Sequence, residues 1–479
     1  MWCVSVVKMA WEWGNGKVEN LYGRLRGKVV DGMLELKKLG EEDPRRVVHS
    51  LKVGLAITLV STFYYFEPLY HGFGSSAMWA IFTVIVVSEF SVGATLGKGL
   101  NRGLATFLAG ALGLGCFYLA ESTGHVVQPI LLGVFIFVLA AGVTYMRFFP
   151  QMKKKYDYGL MVFILTFCLV SVSSYREDQE IIDIAQKRVI TILIGGLISV
   201  LVCIFVCPIW AGDDLHNLVS RNIDKLGNFL QGFGDEYFRT STEGEGEECD
   251  KAVLEGYKSV LNSKQTEESL ANFVTWEPCH GRFKYQYPWH QYLKIGSLSR
   301  QCAYRIDALN GFLNSAKAPP EGIKGKLQEA CMKMSKEAGR GLKELSEAMK
   351  RMEAPLSAEA HISKAKTGAM KLRSIMKRGL WEEGNNVNLV EAIPAMTVAS
   401  LLLDVVSCTE QLGDSIKHLS SLANFTTNKL KPEPLHNNQI TQTPQPQPQE
   451  ALQSCESHNS GHHHVITINP TPTTTNQVS

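Results

Sequence analysis

The chain has 479 residues, of which 45% are apolar and 20% charged, and its formal net charge is only +2. So small a charge gives no bulk attraction to nucleic acid, and we expect no nucleic-acid partner. The eleven cysteines form no CxxC pair, and no GxSxG or HExxH motif is present, so the sequence indicates no zinc site, no cofactor and no enzyme.

The N-terminal segment, 1–46, carries an amphipathic pattern. Apolar residues recur at near-helical spacing between Val18 and Leu39, with Lys and Arg on the other faces. This spacing predicts a helix, and two placements stay open: the helix lies at the cytosolic membrane surface, or it packs on the C-terminal domain. A break at Glu41–Pro44 precedes the first apolar stretch.

Six long apolar stretches follow one another over residues 47–212. A helix needs about 20 mostly apolar residues to cross the hydrocarbon core of a bilayer, with about 17 as the lower limit. The pattern predicts an all-α integral membrane protein whose transmembrane domain has six helices. The predicted spans are Leu51–Phe66, Ser76–Leu96, Gly103–Ala120, Val127–Met146, Tyr158–Ser174 and Val189–Gly212.

The loops between these spans indicate their orientation. Lys and Arg are concentrated before the first span and in the second and fourth loops, whereas the first and third loops have neither. Short loops rich in Lys and Arg stay on the cytosolic side. We therefore expect both termini and the whole C-terminal half to be cytosolic.

The connection between the second and third spans is rich in glycine. Gly93 to Lys98 is one residue short of a Walker A phosphate-binding loop, and Gly99 stands where that loop has a Ser or Thr for magnesium. We therefore exclude nucleotide binding and predict a glycine-rich turn at Gly97–Arg102 between two membrane helices.

The C-terminal half changes character after residue 212. Charged residues return and apolar residues take a helical spacing, which predicts a helical cytosolic domain over 213–428. From Lys429 the composition turns to Pro, Gln, Asn and Thr, and we predict that the tail 429–479 is disordered because it buries too little apolar surface.

Several long motifs make the chain recognisable. WAIFTVIVVSEFSVGATLGKGLNRG is preceded by DPRRVVHSLKVGLA and followed by RFFPQMKKKYDYG, VCPIWAGDDLH and Trp276-Glu277-Pro278. Over residues 43 to about 300 they closely resemble the plant aluminium-activated malate transporter family of anion channels. The resemblance implies a passive channel for malate and, variably, other carboxylates, chloride, nitrate or sulfate. It also implies a homodimer with six spans per subunit, in the plasma membrane or the vacuolar membrane.

Ionisable residues in or beside the spans are the candidates for the pore. Charge is costly in a bilayer, so it usually faces a water-filled path or a partner, and anion pores are lined by Arg and Lys. The resemblance points first to Arg102 and Arg188, whose guanidinium groups suit carboxylates. An ion pair with Asp183 or Asp178 at the outer surface is the alternative for Arg188, and snorkelling to the cytosolic interface is the alternative for Lys98. The candidate pore set is Lys52, Lys98, Arg102, Lys187 and Arg188.

Three further residues are candidates for gating or coupling. Glu89 would repel an anion unless it were paired, so we expect it to partner Lys52 or Arg102 and to act in gating or selectivity; a purely structural pair is the alternative. The resemblance implies that Glu277, beside Trp276, is required for function by coupling the cytosolic domain to the pore. Local fold stability is the alternative role for these two residues.

Two other sites follow from the resemblance. Phe205 matches in position the aromatic of a GABA-associated motif, with a core aromatic as the alternative. Trivalent cation binding needs clustered oxygen ligands on the outer face, and the fifth loop offers Glu180 and Asp183. The first outer loop offers only Glu67 and lacks the aspartate of aluminium-responsive members, so we expect no aluminium activation.

Two rival functions stay open. An ion-coupled carrier is the first, because Glu89 is an acid within a span. A non-transporting membrane scaffold built on the cytosolic helices is the second. A channel gives large currents that reverse at the anion equilibrium potential, a carrier gives small, saturable, coupled flux, and a scaffold gives none.

Overall fold

The computed structural model describes residues 24, 26–66, 78–124, 126–174, 181–238, 253–284, 286–314, 321–379 and 389–426. These residues are mostly helical, and the described part of the chain contains no β-strand beyond two isolated bridges. The fold is that of an all-α membrane protein. The predicted tail, 429–479, lies outside the described residues.

The helices form a membrane half and a C-terminal domain. The membrane half contains α1 (26–42), α2 (Pro44–Tyr65), α3 (Met78–Val87), α4 (Val92–Glu121), α5 (Gln128–Met146), α6 (Pro150–Ser174) and α7 (Ile181–Phe205). The C-terminal domain contains α8 (Ala211–Tyr237), α9 (Lys258–Leu261), α10 (Lys264–Val274), α11 (Trp289–Asn314), α12 (Glu321–Arg351), α13 (Leu356–Ser374, continued by a π-helical turn) and α14 (Leu389–Leu422).

Four helices of the membrane half, α4 to α7, are long and apolar enough to cross a bilayer. Helix α3 is apolar but has only ten residues, and α2 carries polar residues such as His49 and Lys52. The count of six spans therefore stays a prediction. Helix α14 also has the length and composition of a span, but its apolar residues, Leu402 and Leu412 among them, are buried in the core of the C-terminal domain.

The predicted turn at Gly97–Arg102 was wrong, because α4 runs unbroken through those residues. The chain breaks earlier, between α3 and α4, where the Ser91 hydroxyl accepts a hydrogen bond from the Ala94 amide at 3.3 Å and caps α4. The Thr95 hydroxyl secures the same break by bonding the backbone of Glu89. Glycine inside a helix costs about 1 kcal/mol relative to alanine, and close packing against α4 offsets that cost.

Helix α1 presents its apolar residues to the outside of the protein. Met33 is 64% exposed and Leu36 68% exposed. The alternative in which this helix packs on the C-terminal domain was therefore wrong for the described residues. An exposed apolar stripe beside Lys and Arg suits the surface of a bilayer.

Packing in the membrane half centres on α4. It contacts α6 and α7, while α3 packs between α2 and α7. Phe167 and Ala109 are buried between α4 and α6, whereas Phe107 and Phe137 are more than 60% exposed on the outer faces. Large apolar side chains on the outside of a bundle are what a lipid-facing surface requires.

The C-terminal domain is a helical bundle with its own apolar core. Helix α8 packs along α12, and α11 packs along α14. Leu215, Phe229 and Ile306 are completely buried in this core. Because α8 begins six residues after α7 ends, its first turn is where the bundle meets the membrane half.

Candidate functional site

Arg102 lies at the end of the third turn of α4 and is only 7% exposed. Its Nη1 donates a hydrogen bond to the hydroxyl of Tyr158 on α6 at 3.1 Å. Its Nε is buried without a hydrogen-bond partner, and no carboxylate of the described residues pairs with it. Arg102 therefore places a positive charge inside the membrane half that no described acid neutralises.

Glu89 pairs with Lys98, so the expectation that it would partner Lys52 or Arg102 was wrong. The break between α3 and α4 turns the Glu89 side chain back along α4, where Lys98 lies two turns into the helix. The Lys98 Nζ also lies 5.6 Å from the centre of the Tyr158 ring. The side chains of this pair are each about one-third exposed.

Lys52 lies on α2 and is 4% exposed. Its Nζ donates to the carbonyl of Cys207 at 2.6 Å, in the connection between α7 and α8. Cys207 has a φ of 44°, in the left-handed region that a non-glycine residue rarely adopts. The structure thus assigns Lys52 a bond that holds an unusual backbone conformation, in addition to its charge.

Arg188 lies on α7 with its guanidinium over the ring of Trp79, 4.3 Å from the ring centre. It lines an open-sided cavity of about 310 Å³ together with Thr106, Thr166 and Gln186, and the other residues that line this cavity are apolar. The expected alternative, an ion pair with Asp183 or Asp178, stays a prediction, because the side chain of Asp183 and the whole of Asp178 lie outside the described part of the chain.

Unpaired hydroxyl groups accompany the two arginines. Thr106 lies one helical turn after Arg102 on the same face of α4, and its Oγ1 is buried without a described partner. The Ser171 hydroxyl on α6 is unpaired in the same way. A hydroxyl in a bilayer normally bonds to a carbonyl of its own helix, so these two hydroxyls keep a donor for another polar group.

The other predicted residues have less defined surroundings. Lys187 is adjacent to Arg188 on α7 and is half-buried. Phe205 is 78% exposed at the end of α7, so the alternative of a core aromatic was wrong. Glu180 lies outside the described residues, and only the backbone of Asp183 is described. No group of three metal-ligating side chains lies together in the described part of the chain.

Glu277 lies where the C-terminal domain meets the membrane half. Its carboxylate accepts from the amides of Ala211 at 2.6 Å and Gly212 at 3.1 Å, at the start of α8. The same side chain packs on the first turn of α4, where a Cβ atom built on Gly93 would lie 2.7 Å from the Glu277 Cγ. One side chain, 2% exposed, thus caps the start of α8 and contacts the start of α4 in the other half of the protein.

Burial raises the pKa of Glu277 above its usual value. The hydrogen bonds from the Ala211 and Gly212 amides act in the opposite direction, as does nearby His280. The desolvation of the charge is the largest of these effects, and the amide donors offset part of it.

Trp276 packs directly on α4. A Cβ atom on Gly97 would lie 2.9 Å from Cδ1 of the Trp276 ring, which is too close for any side chain there. The Nζ of Lys155 on α6 lies 5.4 Å from the centre of the Trp276 ring. The glycine of α4 is therefore required by the close approach of this indole.

Several residues of this junction were not found by sequence reasoning. The His280 ring stacks on Trp210 with ring centres 3.9 Å apart, and its Nε2 lies 3.9 Å from the Glu277 carboxylate. Burial raises the pKa of Asp213 in the first turn of α8. Tyr158 was missed as well. Trp210 and Asp213 lie in the motif VCPIWAGDDLH, and Tyr158 lies in RFFPQMKKKYDYG. Nothing local in the sequence, however, pairs Trp210 with His280 across 70 positions or Tyr158 with Arg102 across 56.

The candidate site therefore has two parts, a set of polar residues within the membrane half and a junction with the C-terminal domain. Arginines and unpaired hydroxyls lie along α4, α6 and α7, where they offer hydrogen-bond donors to a negatively charged species. A buried carboxylate and an indole fasten the first turns of α4 to the C-terminal domain. Movement of that domain would therefore act on the helix that carries Lys98 and Arg102.

Residues 37–383 of the chain match the family model described as aluminium activated malate transporter. Aluminum-activated malate transporter 2 of Arabidopsis thaliana is 51% identical over 417 residues, which cover 87% of this chain and 82% of that protein. Aluminum-activated malate transporter 1 of the same plant is 49% identical over 414 residues, covering 85% and 83%. Aluminum-activated malate transporter 1 of Triticum aestivum is 42% identical over 399 residues, covering 80% and 84%.

Proposed function

The chain belongs to the aluminium-activated malate transporter family, and on that premise we propose that it is a passive channel that conducts malate and other anions across a plant membrane. The observation that carries the proposal is the buried Arg102, which no described carboxylate neutralises. A buried cation usually acquires an acidic partner unless its charge has a function.

The permeating anion needs a replacement for its water shell. The unpaired Nε of Arg102 and hydroxyl of Thr106 offer donors on one face of α4, and Arg188 offers a guanidinium at the adjoining cavity. At an effective dielectric constant of 20, a unit charge 4 Å from an arginine is stabilised by about 4 kcal/mol. Several donors in succession, each binding weakly, allow the anion to enter and leave.

We place the termini and the C-terminal domain in the cytosol, because Lys and Arg are concentrated up to the start of α2 and around the junction of α5 and α6, from Arg147 to Lys155. A homodimer in the plasma membrane or the vacuolar membrane is part of the same proposal. Two subunits would contribute four arginines, from positions 102 and 188, to the permeation path.

In this proposal Glu277 and Trp276 couple the C-terminal domain to the pore. The support is the pair of contacts with the first turns of α4, at Gly93 and Gly97. A ligand or voltage change that moves the domain would shift α4, and with α4 its two cations. Lys98 forms an ion pair with Glu89 in the structure. Breaking this ion pair is one way in which a shift of α4 would change conductance.

The test is voltage-clamp recording with malate, nitrate or chloride as the sole permeant anion. We expect currents that reverse at the anion equilibrium potential, reduced by at least about tenfold in Arg102→Ala and partly retained in Arg102→Lys. Arg305→Ala is the matched control, because it removes an arginine on α11 of the C-terminal domain. Surface labelling shows that each variant reaches the membrane.

Three outcomes would contradict the proposal. A surface-expressed Arg102→Ala with wild-type current would remove Arg102 from the path. Small, saturable flux that depends on a second ion would identify a coupled carrier. Absence of both current and tracer malate flux from surface-expressed wild-type protein would identify a non-transporting scaffold.

A further inference from the structure

Tyr158 contacts both of the cations on α4 described above. Its hydroxyl accepts the hydrogen bond from Arg102 at 3.1 Å, and its ring centre lies 5.6 Å from the Lys98 Nζ. Tyr158 itself is partly buried on α6, at the start of the packed α4–α6 contact. One aromatic side chain thus touches two charged groups that stand one helical turn apart.

The backbone around Tyr158 is fixed in register with α4. The side-chain amide of Asn101 donates to the Lys155 carbonyl at 3.1 Å, three residues before Tyr158. On the other side, a Cβ on Gly159 would lie 3.4 Å from the Asn101 side chain, so α4 and α6 approach closely there. Because the backbone is held against α4 both before and after Tyr158, the phenol has little freedom to move away from Arg102.

The chemistry of the partner matters as much as its position. A guanidinium has five N–H donors, and a carboxylate partner would occupy two of them and cancel the positive charge. A tyrosine hydroxyl occupies one donor and leaves the charge intact. Arg102 keeps an unpaired Nε as a result. The phenol therefore orients the guanidinium and leaves its Nε donor unpaired.

We propose that Tyr158 is a positioning residue that sets the selectivity of the channel for carboxylates over spherical anions. The inference rests on the proposed anion-channel function. A carboxylate is recognised by two parallel N–H donors in a defined orientation, whereas chloride accepts donors from any direction. Loss of the hydroxyl that orients Arg102 therefore penalises malate more than chloride.

The experiment compares Tyr158→Phe with Tyr156→Phe in voltage clamp under malate and chloride gradients. Tyr158→Phe keeps the ring under Lys98 and removes only the acceptor, and we expect the malate-to-chloride permeability ratio to fall by three- to tenfold. Tyr156 is the matched control, because it is also on α6 with its ring near a lysine, Lys155. Its hydroxyl loss leaves the ratio unchanged.

Tyr158→Glu gives a second test, because it adds a negative charge beside Arg102 where Tyr158→Phe only removes the hydroxyl. A carboxylate there would pair with Arg102 and cancel its charge, so both malate and chloride currents fall by at least about tenfold. Thermal melting of each purified variant accompanies the recordings. A lowered melting temperature with an unchanged permeability ratio would show that Tyr158 has a structural role only, and would overturn the inference.

The failure of this inference is distinguishable from failure of the channel proposal. An unchanged ratio in Tyr158→Phe, together with a lost current in Arg102→Ala, overturns the role of Tyr158 and leaves the channel in place. If wild-type protein carries no current, malate binding to the purified protein in nanodiscs replaces the recording. Equal malate affinity of wild type and Tyr158→Phe in that assay also overturns the inference.

Discussion

Replacing Glu277 with Gln tests the junction between the two halves of the protein. The carboxylate accepts from the Ala211 and Gly212 amides with separate oxygens, at 2.6 and 3.1 Å. A glutamine of the same shape has only one acceptor oxygen, and its NH2 group would face an amide N–H. One buried donor at the start of α8 would therefore lose its partner.

Two effects of opposite sign determine the magnitude. A hydrogen bond to a charged group contributes about 1.5–3 kcal/mol, and a buried donor left unpaired costs about 1–3 kcal/mol. Against this, burial raises the pKa of Glu277, so its stabilising contribution is present at pH values below the unfolded carboxyl pKa and is lost as the pH rises through the folded pKa. Gln avoids that cost at neutral pH. Gln nevertheless leaves one buried amide N–H at the start of α8 facing its own NH2 group, and we expect this unpaired donor to decide the outcome, with a net loss of about 2 kcal/mol.

Hydrogen–deuterium exchange of the full-length protein in nanodiscs measures this loss directly. A decrease of about 2 kcal/mol in the free energy of local opening accelerates exchange of the amides at the start of α8 about 30-fold. Glu347→Gln is the control, because Glu347 is an exposed acid paired with Arg351 on α12. Exchange at α8 that is unchanged or slower in Glu277→Gln would mean that desolvation outweighs capping, and would refute the reasoning.

Two further predictions concern α4 and the C-terminal domain. Gly97→Ala should lower the melting temperature and accelerate hydrogen exchange at the first turns of α4, because its Cβ would lie 2.9 Å from the Trp276 ring. Gly115→Ala is the control on the same helix: a Cβ there has no atom within 4 Å, so this variant should be neutral or stabilising. Equal effects of the two substitutions would contradict the close packing at Gly97. Burial lowers the pKa of His216 to about 4, so its neutral form contributes stability above the unfolded pKa of 6.5 that is lost as the pH falls through the folded value. Wild type should lose about 2 kcal/mol between pH 7.5 and 5 relative to His216→Gln by chemical denaturation at each pH, and a difference independent of pH would show that His216 is not buried neutral.

The sequence by itself determined the membrane class and the family. Runs of apolar residues of membrane length can be read without any knowledge of contacts, because hydrocarbon excludes polar groups wherever the helix lies. Long motifs identified the family in the same local way. The resemblance, together with charge inside apolar segments, pointed to Arg102, Arg188 and Glu277, and their roles stay predictions.

The tertiary structure decided which of these groups are partners and where α4 begins. Glycines at 97 and 99 are typical of a turn by local propensity, yet the contact with Trp276, 179 positions away, makes a helix with glycine the packing solution. The sequence suggested Lys52 or Arg102 as the partner of Glu89, whereas the backbone break at Ser91 selected Lys98. The contact between Tyr158 and Arg102 joins residues 56 positions apart. Glu277 contacts the start of α4 across 184 positions and the start of α8 across 66. The physical reason is that hydrophobic length is a property of each segment, whereas a hydrogen-bond partner is set by how segments pack.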